Sequence, residues 1–218
     1  MKKILTFVSI ALIGLSVKAQ DSSQGLKGAW FATSQFGYQQ TKTADVKNTT
    51  LSVLPIVGTF VTPSVAVGAA VGYINIKSDG YDNVDPNVKT LAKTDLIVIE
   101  PLARKYWNVA GSLYFFGQLA LPVITGKEKE SELKVNQIGL SLSGGFDYFV
   151  TKNFSVEFSY DLANFTSTTL DPKVGEKTTV TNFALAHVAN VDTAYTSALG
   201  GSNPNLTSPI SVGFKFLF

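Results

Sequence analysis

The sequence holds one histidine, His187, and no cysteine. A hydroxyl nucleophile needs a base within hydrogen-bond reach. Thr193 and Ser197 lie near His187 in sequence, in a long polar stretch where a solvated histidine is the simpler reading. Glu157 and Asp161 stand four apart on one face of an alternating segment. Paired carboxylates can perform acid–base work on a glycosidic bond, but the same positions also serve a buried polar interior. Asp79, Asp82 and Asp85 offer three carboxylates at a spacing of three, without the remaining ligands of a known calcium loop. Asp79-Gly80 and Gly200-Gly201-Ser202-Asn203-Pro204 are turn chemistry, with no strand-to-helix setting that would cradle a phosphate. The expectation is a chain without catalytic residues, metal site or cofactor.

The elements that carry these residues are constrained first by composition. Lysine and arginine number 18 against 16 acidic residues and gather on no one segment, which gives no case for a nucleic-acid partner. Apolar residues make up 45% of the chain and mean hydropathy is +0.18, high for a soluble secreted domain. Lys2 and Lys3, the apolar run 4–17 and Val17-Lys18-Ala19 before Gln20 have the form of a secretory signal peptide, residues 1–19, cut between Ala19 and Gln20. The run is shorter than the roughly 20 residues that cross a bilayer as a helix. The remainder, 20–218, carries no linker-like stretch and is expected to be one exported domain without disulfides.

Eight segments alternate in polarity between Gly, Pro, Asn and Asp clusters, near 28–40, 49–60, 65–77, 94–105, 111–125, 134–150, 153–165 and 209–218. In the seventh, Phe154, Val156, Phe158, Tyr160 and Leu162 oppose Ser155, Glu157, Ser159, Asp161 and Ala163. In the eighth, Ile210, Val212, Phe214, Phe216 and Phe218 oppose Ser211, Gly213, Lys215 and Leu217. The sixth and third alternate as cleanly, whereas the fifth leaves the facing of Phe116 open. The first, second and fourth are apolar on parts of both faces.

Connections alternate between short (61–64, 105–109, 151–152) and long (41–48, 78–93, 126–133, 166–208). Short periplasmic turns and long extracellular loops are the pattern of an up-and-down membrane barrel. Stretch 178–188 would extend a strand above the membrane or form its own hairpin. Trp30, Phe36, Tyr73, Trp107, Tyr148, Phe149, Phe154, Phe216 and Phe218 lie near strand ends, compatible with two aromatic girdles. The fold class expected is all-β, an eight-stranded antiparallel transmembrane barrel, whose closure leaves no unpaired edge in hydrocarbon. The lumen of eight strands is filled by side chains. The polar faces put Glu100, Arg104, Gln118, Gln137, Asp147, Glu157, Asp161 and Lys215 there, and Glu100, Arg104, Glu157 and Lys215 are expected to meet.

With Ile99-Glu100-Pro101-Leu102-Ala103-Arg104-Lys105-Tyr106, Tyr114-Phe115-Phe116-Gly117-Gln118 and a terminal Phe218, the chain resembles the OmpA/OmpX-type outer-membrane β-barrel proteins, particularly those of Bacteroidetes. The resemblance covers the whole mature chain but rests on strand chemistry, not on a catalytic signature. It implies a cell outer-membrane location after Sec export, and insertion by the barrel-assembly machinery reading Phe214, Phe216 and Phe218. No peptidoglycan-binding domain follows, so cell-wall anchoring is not implied. The expected partners are outer-membrane lipid and lipopolysaccharide, with no nucleic acid, a monomeric state and an unnamed extracellular ligand. The leading function is a non-enzymatic surface-interaction role through the extracellular loops. A small-solute pore, a lipid-modifying enzyme and a soluble lipocalin-like barrel are the rivals.

Overall fold

The computed structural model describes residues 26–43, 46–81, 89–185 and 210–218. Ala19, Gln20, Asp82, Asp85, His187, Thr193 and Ser197 lie outside them. Ten β-strands form one antiparallel sheet: β1 Trp30–Thr43, β2 Val46–Thr62, β3 Val65–Tyr81, β4 Lys89–Ala110, β5 Leu113–Ala120, β6 Val123–Glu128, β7 Lys134–Thr151, β8 Phe154–Asp171, β9 Thr178–Leu185 and β10 Ile210–Leu217.

These ten strands make the eight staves of a closed barrel. β5 and β6 both pair with β4 on one side and β7 on the other, so they are halves of one stave. Pro122, which has no N–H to give the ladder, separates them. β9 and β10 likewise share one edge of β8: Ala163 pairs with Leu185 and Tyr160 with Ile210. Closure is made by β1 against β10, from Phe31↔Leu217 to Thr33↔Lys215. Trp30 and Phe218 exchange backbone hydrogen bonds of 2.8 and 3.0 Å at the foot of this joint.

Three two-residue turns, 63–64, 111–112 and 152–153, lie at the end that holds both ends of the wall. Next to each, the strand carries one extra residue, Val61, Val109 and Val150, all three exposed on the outside. Such bulges add twist where the chain reverses. Gly111 takes φ +52°, a conformation open to a residue without Cβ.

The structure moves several expected boundaries. The first connection, expected at 41–48, is ladder as far as Thr43↔Val46. The turn expected at 105–109 is strand, because β4 runs to Ala110 and reverses at 111–112. The loop expected over 166–208 contains the outer part of β8, to Asp171, and all of β9, whose Thr178–Leu185 lies along β8. The outer stretches of β1, β2, β8 and β9 carry mostly Thr, Lys, Ser and Asn with few alternating apolar residues, and so gave little period-two signal.

Outward positions are apolar over most of the wall: Val67, Val71, Ile97, Ile99, Phe115, Leu119, Leu140, Leu142, Phe146, Phe158, Val212 and Phe214 are all exposed. β8 carries a bulge at Leu162, between Leu142↔Ala163 and Ser143↔Asp161. Leu162 and Phe165 therefore both face outward although they are three apart. A continuous exposed band of this kind is satisfied by hydrocarbon rather than water.

Candidate functional site

The polar centre of the lumen is built from five staves. Arg104 on β4 donates from Nη1 to Glu157 Oε2 on β8 at 2.5 Å and from Nη2 to Oε1 at 3.1 Å. Its Nε and Nη2 also donate to Gln118 Oε1 on β5, at 2.9 and 2.6 Å. Lys215 on β10 pairs with Asp147 on β7 and reaches Glu157 Oε2 at 3.0 Å. The Tyr106 hydroxyl accepts from Arg104 Nη1 at 3.1 Å and from Lys215 Nζ at 2.9 Å, tying the two cations to one oxygen. Two cations and two carboxylates balance, which is what allows charges to sit where water cannot reach.

Period two aims these groups. Arg104 and Tyr106 are two apart on β4, and Arg104 stands directly opposite Gln118 and Tyr106 opposite Phe116. Asp147 is the direct partner of Glu157 across β7 and β8. Two carboxylates side by side repel, so Lys215, arriving from the other side of β8, is required between them.

Aromatic rings close the remaining space. Phe31, Phe60, Tyr106 and Phe116 are fully or almost fully buried, with centroids 6.0 Å apart for Phe31–Phe60, 5.2 Å for Phe60–Tyr106 and 5.8 Å for Tyr106–Phe116. The Arg104 guanidinium lies 4.2 Å from the Phe116 ring centroid, a cation–π contact. Phe116, whose facing the alternation left open, thus points inward. Tyr114 is also inside, against Phe149 at 5.2 Å. Phe149, expected in an aromatic girdle, instead packs into the lumen. It precedes the bulged Val150 and follows the outward Tyr148, so it falls on the inner face.

Of the eight residues assigned to the lumen network, the structure brings together Arg104, Gln118, Asp147, Glu157 and Lys215. Glu100 does not join them. It points inward at a different level, beside Pro122's stave and within electrostatic reach of Asp161. Gln137 sits higher still and accepts from Thr168 Oγ1 at 3.0 Å. The quartet expected around Glu100 is therefore Arg104, Glu157, Lys215 and Asp147, with Tyr106 at its middle. Tyr106 was missed because it fell in the turn expected at 105–109; the run of β4 to Ala110 puts it on the inner face opposite Phe116.

Above the network the lumen is largely apolar, not lined only by the polar faces assigned to it. Leu54, Ile56, Ile74, Leu96, Val98 and Ile124 are buried there. These are the second apolar faces of the segments whose alternation was poor. Glu128, buried at the end of β6 opposite Thr94, caps the next turn, accepting from the backbone N–H of Glu130 and from Ser131 Oγ. Among the described residues no group of His, Cys, Asp or Glu could hold a metal ion. Phe214 and Phe216 are exposed on the outer wall beside Phe154, and Phe218 is half-buried.

No known family profile matches the chain, and no curated protein does. Among solved structures, the outer membrane protein OprG from Pseudomonas aeruginosa is similar over 91% of this chain and 99% of its own, at 14% identity and a TM-score of 0.51. Neisserial surface protein A is similar over 88% of this chain and 100% of its own, at 14% identity and a TM-score of 0.42. The likeness to OprG shows the fold: a closed eight-stave antiparallel barrel of the kind found in outer membranes.

Proposed function

We propose that this chain is an integral protein of the Gram-negative outer membrane whose barrel is a sealed, non-enzymatic platform, with surface recognition carried by the ends of β1–β9 opposite the short turns. The apolar outer band supports the membrane setting, and the short turns at the end holding both ends of the wall support their lying on the periplasmic side. The observation that carries the sealed lumen is the cross-section at Tyr106. There Arg104, Lys215, Asp147 and Glu157 are locked in one network, and Phe31, Phe60 and Phe116 fill the rest. A conducting pore needs a continuous polar path, and a charge taken from this network to open one would leave its partner unpaired in a dry interior.

Export through a signal peptide and assembly through the terminal aromatics belong to the same reading. Purified barrel in planar bilayers is expected to give no conductance steps above baseline. Stable openings would overturn the sealed platform and favour a small-solute pore. Fractionation of cells, with gel mobility that changes on boiling, tests the membrane assignment separately: a soluble protein with unchanged mobility would sink it.

A further inference from the structure

The outer wall across β3, β4, β6 and β7 is layered. One cross-strand row reads Val71, Ile99, Val123 and Ile138, all exposed. The next outward row is Tyr73, Ile97, Thr125 and Asn136. Above it come Asn75, Asp95, Lys127 and Lys134 as direct partners, and above these Lys77 stands opposite Lys93. The backbone N–H of Lys129 donates to Lys93 O at 2.9 Å, which adds a fifth lysine to the edge of the same patch. Each row rises two residues, about 6–7 Å along the strand, and neighbouring strands are about 4.8 Å apart.

Lysines directly opposite one another in a sheet repel. Among the described residues, Asp79 and Asp171 border this patch, Asp79 one row beyond Lys77 and Asp171 opposite Lys134, where it pairs with Lys177. Asp95 lies within it and is taken: Lys129 Nζ lies 2.7 Å from Asp95 Oδ2, while Tyr73 Oη and Asn75 Nδ2 donate to Oδ1. Asp95 holds the Lys129 ammonium above its ordinary pKa. Among the described residues Lys77, Lys93 and Lys127 make no ion pair, while Lys134 stands directly opposite Asp171. The β1 wall presents Phe36, Tyr38 and Gln40 at the level of these rows, and one row further out Lys42 stands opposite Lys47.

We propose that this lysine patch docks the phosphorylated headgroup of an outer-leaflet glycolipid, whose acyl chains lie on the Val71, Ile97, Ile99 and Ile138 surface directly beneath. The continuity of the two surfaces selects a lipid over a soluble anion. Chains against the apolar rows bring a headgroup phosphate to the level of Lys77, Lys93 and Lys127, and lysine stems lie along apolar surface with their ammonium ends at the headgroup. The inference rests on the membrane setting proposed above but not on the sealed lumen.

The test uses the folded full barrel in zwitterionic micelles, titrated with bisphosphorylated lipid A, with the same lipid dephosphorylated, and with inorganic phosphate. Binding is followed by fluorescence of labelled lipid, and folding by the boiling-dependent gel shift. The bisphosphorylated lipid is expected to bind, and the K77Q/K93Q/K127Q variant to lose roughly tenfold or more in apparent affinity. The arginine triple at the same positions should bind as the parent does, and so should K105Q/K152Q, which removes charge from the turn end. Equal binding of the dephosphorylated lipid, undiminished binding by the glutamine triple, or competition by inorganic phosphate alone would each overturn the proposal. The gel shift shows whether a variant is folded, and loss of that shift in the parent itself would instead mark failure of the membrane reading.

Discussion

Lys215 on the last strand is paired with Asp147, 68 residues earlier, and neither side chain retains any exposed surface. Because the two lie on staves separated by β8, the pair forms only once β10 has added to β8. Lys215→Met leaves Asp147 charged and unpaired in the lumen, while Glu157 keeps Arg104. The expected cost is about 3–5 kcal/mol, read by urea unfolding in lipid vesicles. Adding Asp147→Leu should restore most of it, and a double variant as unstable as the single one would show that the pair is not the source.

Tyr106→Phe removes the oxygen that both cations share. Hydrogen bonds to charged groups are worth about 1.5–3 kcal/mol each when lost. A destabilisation in that range is expected in the same unfolding assay, with the gel shift retained. No measurable change would mean that Glu157, Asp147 and Gln118 satisfy Arg104 and Lys215 unaided.

Gly145 on β7 is the direct partner of Ser159 on β8 and of Phe116 on β5. A Cβ there would meet Phe158 O, and would come within 2.8 Å of Ser159 Cα and 2.9 Å of Phe116 Cζ. Gly145→Ala is expected to cost about 1–3 kcal/mol by overpacking, and Gly145→Val to yield little folded barrel. Gly117→Ala, whose Cβ would meet nothing nearer than Trp107 at 3.6 Å, should fold normally and serves as the comparison.

Phe218 presents two separable features: an aromatic side chain, and a backbone that exchanges hydrogen bonds with Trp30. Deleting Phe218 removes both, whereas Phe218→Ala keeps the backbone pair. If the ring is read during assembly, both variants insert poorly in cells but only the deletion refolds slowly from urea. Normal insertion of Phe218→Ala in cells would count against the aromatic signal.

Leu142 is exposed midway along β7, and Val180 is exposed on β9 beyond the apolar band. Leu142→Arg is expected to cost about 2–4 kcal/mol in a bilayer, and Val180→Arg close to nothing. Equal and small effects at both sites would mean that water, not lipid, faces Leu142.

Where one face of a strand meets lipid and the other a packed lumen, the covalent order of residues already separates them. That is why β7 and β8 were legible residue by residue, and why Arg104, Gln118, Asp147, Glu157 and Lys215 were placed inside from their positions alone. Alternation fades where both faces are alike. β2 and β4 carry aliphatics inside and out, around Leu54, Ile56, Leu96 and Val98, and the outer ends of β1, β2 and β8 are polar on both.

The strand chemistry, the stave number and the inward set of charges followed from sequence, because period two is a local property of an extended backbone. Which charges meet depended on the tertiary structure. Height in the lumen is set by the stagger between staves and by bulges such as those at Val61, Val109 and Leu162, and each of these shifts the partners of a whole strand. That stagger took Glu100 and Gln137 out of the network, brought Tyr106 to its centre, and stacked five lysines on one side of the wall above the apolar band.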